Sequence, residues 1–321
     1  MKIDDIDVSA AAQRIAAIVR KTPVVPVDPA HQKGGQVWLK LENLQITGSF
    51  KVRGAANKIA SLDQEARKRG IVTCSSGNHG RAVAYVAETF GVPATVCVPE
   101  WVDPVKLDAI KSHGAEVVVE GATYDEAEAR SFEIRQEREL VYVHPFDDPE
   151  VIAGQGTIGL ELLDQVGALD SVVVPLSGGG LIAGIAAALK QEGSTTSVVG
   201  VSAENACVMY KSLEAGSPQA LPEEETIANA LAGGIGMENE YSFELVRDLV
   251  DQHVLVSEDE IRTAMRYAAS EYHLILEGGG AVALAASLHG KLTDRHGDTA
   301  LVLSGGNVDP VLLAEVLGPR S

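Results

Sequence analysis

Lys51 stands in the stretch LENLQITGSFKVRGAANKIA (41–60), where a polar, glycine-containing turn gives way to a helical pattern. A lysine amine forms a Schiff base with an aldehyde once its neutral form is accessible. Taken alone, Lys51 is better read as a surface cation. Three loops far downstream change that reading, and each follows a strand-like run. SSGNHG (75–80) sets small hydroxyls, an amide and glycines at a helix start, where free backbone N–H groups bind anions. Alone it is also a plain Ser/Asn helix cap. SGGGLIAG (177–184) places three consecutive glycines, costly in conformational entropy, where backbone can wrap a phosphate at a helix N-terminus. SGGN (304–307) lets a flat or anionic group come close, or else simply turns a strand into a helix. Jointly these parts describe a phosphorylated ligand held by glycines, hydroxyls beside it, and one lysine upstream. Pyridoxal phosphate uses all of them.

A second chemistry competes for the glycine loop. Gly178, Gly180 and Ala183 fit the dinucleotide pattern G-x-G-x-x-G/A, and Glu204 follows the next strand where a ribose-binding acid sits. An NAD-dependent oxidoreductase built on that loop leaves Lys51 and the loop at 75–80 without a role.

The elements that must position these residues alternate. Strands are expected at 36–41, 71–75, 94–99, 115–120, 171–176, 197–203, 253–257 and 299–305. Helical spacing of apolar residues separates them, as at 79–91, 103–114 and 258–272. Strand–helix alternation implies βαβ units and an α/β fold, and the continuous apolar runs imply parallel strands buried on both faces. Ligands of such sheets bind at the carboxyl ends of the strands, which is where the three loops fall. The longest irregular stretch, 215–240, reads as a surface loop or the lip of a pocket.

Composition narrows the class. The chain has 321 residues, 45% hydrophobic and 22% charged, with a formal net charge of -19. That charge disfavours nucleic acid and anionic membranes as partners. Cys74, Cys97 and Cys207 are widely spaced, without a C-x-x-C, which argues against disulfides and structural zinc. The acidic N-terminal residues do not form a signal peptide, and no apolar run reaches the length of a membrane span. A cytoplasmic location is expected.

Together TGSFKVRGA, SSGNHGRAVA, HPFDDPEVIAGQGTIGLEL, SGGGLIAG, EGGGA and LSGGN resemble the serine/threonine dehydratase family of fold-type II, tryptophan-synthase-β-like pyridoxal phosphate enzymes, a group that includes serine racemase. The motifs keep the family's order from about residue 20 to residue 310. The resemblance implies two α/β domains with mostly parallel sheets: a large cofactor-binding domain of 1–45 and 148–321, and a small mobile domain of 46–147. It implies a homodimer. It makes Lys51 the Schiff-base lysine and the base for the α-proton, with Phe50 beside the cofactor and Asn78 bonded to the cofactor's 3-oxygen. Ser75, Ser76, Gly77 and His79 would receive the substrate carboxylate, and Ser76 also occupies the place of serine racemase's opposite-face acid/base. Ser177, Gly178, Gly179, Gly180 and Leu181 would hold the phosphate, with Ser177 in place of the usual first glycine. Ser304 would face the pyridine nitrogen, and Glu277 would lie near the ring edge.

The implied reaction removes water and then ammonia from a 3-hydroxy amino acid such as L-threonine or L-serine, leaving a 2-oxo acid. An amino acid racemase is the neighbouring alternative. The chain also departs from the family. A regulatory C-terminal domain like the family's is not expected. Ser202 and Val208 stand where some members carry cation-binding acids, so no metal is expected. ANALAGGIG (228–236) replaces an A-D-G segment, with Asn229 in place of the acid. The added glycines suggest a roomier pocket for a bulkier substrate, such as a 3-hydroxyaspartate or a hydroxyectoine-derived compound. That would place the chain in the hydroxyectoine utilisation dehydratase subgroup.

Overall fold

Val172, Val173 and Val174 are consecutive, and all three are fully buried. Successive strand residues point to opposite faces, so both faces of their sheet must be covered. The computed structural model describes residues 3–27, 35–292 and 297–318. Ten strands lie among the described residues: β1 (Val24–Val27), β2 (Val37–Leu41), β3 (Ile71–Cys74), β4 (Ala94–Val98), β5 (Glu116–Val119), β6 (Val141–Tyr142), β7 (Ser171–Pro175), β8 (Ser197–Ala203), β9 (Gln252–Val256) and β10 (Thr299–Leu303). They form a six-stranded sheet, ordered β1-β2-β10-β7-β8-β9, and a four-stranded sheet, ordered β5-β4-β3-β6. Every pairing is parallel except that of β1 with β2.

The fold is thus α/β with mostly parallel sheets. All eight expected strands are present, with ends shifted by a residue or two. β1 and β6 were not expected. β1 is a short edge strand carrying Pro26, which cannot donate to a ladder, and β6 has only two residues.

Val172, Val174, Ala300 and Val302 face one core, shared with the helices Pro149–Gln165 and Gly180–Gln191. Val173, Leu301 and Leu303 face the other, shared with the helices Glu258–Glu271 and Gly278–Leu288. The smaller sheet is sandwiched likewise. Ile71 packs with Val52, Ala55 and Val83 of the helices Lys51–Ser61 and Asn78–Phe90. Val72 and Cys74 pack with Ala127 and Ile134 of the helix Tyr124–Arg138.

Candidate active site

β2, β10 and β7 are parallel neighbours, so the segments that leave their carboxyl ends emerge on one edge. They carry Lys51, Ser304 and Ser177. The turn before Lys51 is stitched to the loop after β10: Phe50 N donates to Ser304 O at 3.1 Å, and Gly306 N to Gly48 O at 2.9 Å. Lys51 is the first residue of the helix Lys51–Ser61. Its Nζ donates to the Pro145 carbonyl at 2.7 Å and sits 5.2 Å from the centre of the Phe50 ring. Burial lowers its pKa from 10.5 to about 8, against the opposing pull of the Glu277 carboxylate.

The helix beneath Lys51 is anchored by charge. Arg53 is fully buried and donates to both oxygens of the fully buried Glu42, at 2.8 Å each, and to Thr157 and Glu161 at 3.1 and 2.6 Å. Lys40 of β2 joins Glu161 from the far side. These bonds tie the sheet, the lysine's helix and the helix Pro149–Gln165 into one block.

The glycine loop is shaped by Phe146. A Cβ on Gly178 would fall 2.4 Å from the Phe146 ring, and one on Gly180 2.6 Å from its carbonyl oxygen. Gly179 has φ 88°, a left-handed conformation that glycine adopts without penalty. Pro145 and Phe146 therefore form a strap that touches the lysine amine on one side and the loop on the other. Ser177 Oγ donates to Leu231 O at 2.8 Å, and Leu181 is buried in the first helical turn. What these two offer an anion is their backbone N–H.

The third loop comes from the smaller sheet. Asn78 begins the helix Asn78–Phe90, and its Nδ2 donates to Glu277 Oε1 at 2.7 Å. Burial raises the Glu277 carboxyl from 4.5 to about 7, although Asn78, Lys106 and Lys51 each favour its charged form. Ser75 and Ser76 are half-buried and Gly77 is exposed. His79 is buried with Nε2 at 2.9 Å from Val143 O, and burial lowers its pKa to about 3. Its ring is neutral and committed to Val143, so its backbone N–H is what it presents at the helix start.

Elsewhere Asp63, Asp103, Asp148 and Asp309 close helix N-termini with their carboxylates. The helices starting at Lys51, Asn78, Gly180 and Gly278 carry no side-chain cap. In the Lys51 helix Gly54 N instead donates to Gln155 Oε1 at 3.2 Å; first-turn N–H groups without such a partner are available to an anion. Thr47 Oγ1, Ser49 Oγ and His79 Nδ1 are buried without a partner among the described residues. Ser304 Oγ lies 3.5 Å from Gly279 O, too far for a good hydroxyl bond. An uncommitted serine, uncapped glycine-rich helix starts and a buried amine together fit pyridoxal phosphate.

Comparison with known proteins decides the matter. Residues 15–305 match the family described as "Pyridoxal-phosphate dependent enzyme". The chain belongs to this family. The choice between the two readings of the glycine loop falls to pyridoxal phosphate, and the family is one of enzymes. The L-threonine ammonia-lyase of Thermotoga maritima is 40% identical over 312 residues, 97% of this chain and 77% of that protein. The catabolic L-threonine dehydratase of Staphylococcus aureus is 40% identical over 316 residues, 97% of this chain and 91% of that one. Maize serine racemase superposes with a TM-score of 0.91 at 35% identity, covering 98% of this chain and 96% of that one.

Sequence reasoning named HPFDD among the family-like motifs but gave Pro145 and Phe146 no role. It also left Asn307 without one. The signal for Phe146 was indirect: two glycines that only a bulky neighbour requires. No helix among the described residues is long and apolar enough to cross a membrane.

Proposed function

We propose that this protein is a pyridoxal phosphate-dependent ammonia-lyase acting on L-threonine, and on L-serine as a smaller analogue. The observation that carries the reading is about 40% identity, over nearly the whole chain, to proteins named for threonine deamination, joined to a buried lysine amine with a lowered pKa.

Pyridoxal phosphate, when bound, supplies an aldehyde for amines and a ring that accepts the charge left by a departing α-proton. Lys51 would hold the cofactor, and its amine would be the base for that proton. A base with a pKa near 8 is suited to work near neutral pH. The uncapped amides around Gly77 and Asn78 receive the substrate carboxylate. Those of Gly178, Gly179 and Gly180 receive the phosphate. Ser304 is a neutral donor to the ring nitrogen and brings no formal negative charge beside it. Negative charge at the substrate α-carbon is then poorly stored, and loss of the β-hydroxyl relieves it. The lost α-proton and β-hydroxyl make one water; hydrolysis then returns a water and releases ammonia and a 2-oxo acid. Ser76 is the candidate for proton transfer on the opposite face, which is what racemization would need.

The same reading carries a small domain, 46–147, that closes over the substrate and excludes water. β3 to β6 all fall within those limits, and the six strands of the larger sheet fall outside them. It also carries a homodimer and a cytoplasmic location. Three free cysteines, two of them buried, support a reducing compartment.

The test is direct. Purified protein is expected to be yellow, borohydride to fix the cofactor to Lys51, and Lys51→Ala to abolish both fixation and 2-oxo acid release from threonine. A colourless protein that takes up no pyridoxal phosphate overturns the reading. A panel of 3-hydroxy amino acids sets substrate breadth: preference for a bulky member would move the assignment to the larger substrates that the glycines at 233–236 suggest. Ser76→Ala, assayed for both 2-oxo acid and enantiomer, separates elimination from racemization.

A further inference from the structure

The amide of Asn78 cannot rotate freely, because a chain of hydrogen bonds fixes which end faces which way. Arg81 NH1 donates to Asn307 Oδ1 at 3.1 Å. Asn307 Nδ2 donates to the Thr47 carbonyl at 2.8 Å and to Asn78 Oδ1 at 2.7 Å. Asn78 Nδ2 then donates to Glu277 at 2.7 Å. A guanidinium can only donate and a backbone carbonyl can only accept, so the polarity of Asn307 is set twice over. Asn307 spends its NH2 group on Asn78 Oδ1, and this turns the NH2 group of Asn78 inward. One N–H of that group goes to Glu277 and one is left over.

The backbone around Thr47 is shaped for the same contact. Thr47 has φ 70°, a left-handed conformation that is unusual for a β-branched residue. Gly48 has φ 78°, and a Cβ there would fall 2.3 Å from Asn307 Oδ1. The strained turn thus offers its carbonyl to Asn307 and clears space for the amide. The same turn delivers Lys51 three residues later. Asn307 therefore bonds to the turn that aims the lysine and to the asparagine on the facing helix, which comes from beside the other sheet.

We propose that Asn307 is a positioning residue: held by Arg81 and Thr47, it locks the Asn78 amide with an N–H directed at the cofactor's 3-oxygen and couples that donor to the Lys51 turn. The proposal rests on Asn78 being the 3-oxygen donor.

The experiment compares the parent with Asn307→Asp, Asn78→Ala and their double variant. Each is purified as holoenzyme, then stripped and reconstituted with pyridoxal phosphate. Asn307→Asp keeps the shape but removes both donors, freeing Asn78 to flip. It is expected to weaken cofactor binding about ten-fold, the scale of a lost hydrogen bond to a polar ligand. It should also shift the cofactor absorption spectrum in the same direction as Asn78→Ala. In the double variant the aspartate should add less than a two-fold effect to that of Asn78→Ala. Arg81→Met removes only the far anchor and should weaken binding about three-fold, which keeps the test open if Asn307→Asp folds poorly. Urea unfolding of each stripped protein reports folding separately. Effects that multiply in the double variant, or an Asn307→Asp protein with the parent's spectrum and affinity, overturn the proposal while leaving the Asn78 assignment intact. An Asn78→Ala protein indistinguishable from the parent overturns that assignment and the proposal with it. Failure of borohydride to fix any cofactor in the parent overturns the broader functional reading instead.

Discussion

The Lys51 ammonium donates to the carbonyl oxygen of Pro145 at 2.7 Å, and this is the hydrogen bond the structure gives that buried charge. One neutral acceptor compensates poorly for lost hydration, so burial lowers the pKa to about 8 despite the carboxylate of Glu277. The neutral amine is the reactive form. In protein stripped of cofactor, labelling of Lys51 by formaldehyde and cyanoborohydride should rise about five-fold from pH 7 to pH 8 and less than two-fold from pH 8 to pH 9. A lysine in a short unstructured peptide should rise about ten-fold over each interval. Peptide mass spectrometry reads both. A Lys51 profile parallel to that of the peptide lysine would show that burial does not lower its pKa.

Phe146 and Gly178 make a second testable pair. The added Cβ of Gly178→Ala would meet the Phe146 ring at 2.4 Å, so either the ring or the loop must move. Overpacking of this kind costs about 1–3 kcal/mol. A moved loop should also weaken binding of pyridoxal phosphate by at least about ten-fold, since several backbone donors shift together. Phe146→Ala in the same chain should restore much of the affinity. Gly184→Ala is the contrast: its Cβ would meet Ile152 O at 2.2 Å, inside the helix packing. It should lower stability more than it lowers affinity. Equal affinity losses that Phe146→Ala leaves untouched would sink the strap.

The fold was largely legible because buried parallel strands are written as unbroken runs. SVVVPL needs two apolar faces, and the two cores supply them. Two strands escaped. VVPV carries a proline and VY is too short to show any period. The glycine loop drew notice for a similar reason: three successive glycines are costly in conformational entropy. Partners supplied by distant segments were not legible. Nothing in the local sequence of Asn78 announces Glu277 or Asn307, which lie 199 and 229 residues away. His79 is a further case. Its ring is paired with Val143, a contact that only the course of the chain after β6 reveals.

Arg53 and Glu42 are both fully buried and joined by two hydrogen bonds of 2.8 Å. Burial alone would raise the Glu42 carboxyl; the charge and hydrogen bonds of Arg53 outweigh it and hold the carboxyl below its ordinary value. Removing one partner strands the other charge. Glu42→Ala should therefore cost about 3–5 kcal/mol. Glu65→Ala, which deletes an exposed partner of Lys68, should cost about 0.5 kcal/mol or less. Urea unfolding of the two variants gives the comparison. Equal losses would mean that Arg53 finds other compensation, most simply from Glu161.

Glu277 is expected to make stability depend on pH in a direction that can be worked out. Its carboxyl titrates near pH 7 in the folded protein against an ordinary 4.5, chiefly because it is buried. Between those values the native chain keeps a proton that the unfolded chain has released. Stability from this group therefore falls as pH rises from about 4.5 to 7, and the loss persists above. Glutamine does not titrate, and its amide oxygen still accepts from Asn78. Relative to the parent, the stripped Glu277→Gln protein should gain about 1 kcal/mol or less at pH 5 and at most roughly 3 kcal/mol at pH 8. Loss of the favourable interaction with Lys51 will cut into the larger figure. The same loss gives a second readout. Without that carboxylate less opposes the burial of Lys51, so its labelling midpoint should fall below pH 8. A stability difference that stays flat from pH 5 to pH 8, with an unmoved Lys51 midpoint, would mean that the carboxyl is already ionised at pH 5 and that the two groups do not sense each other.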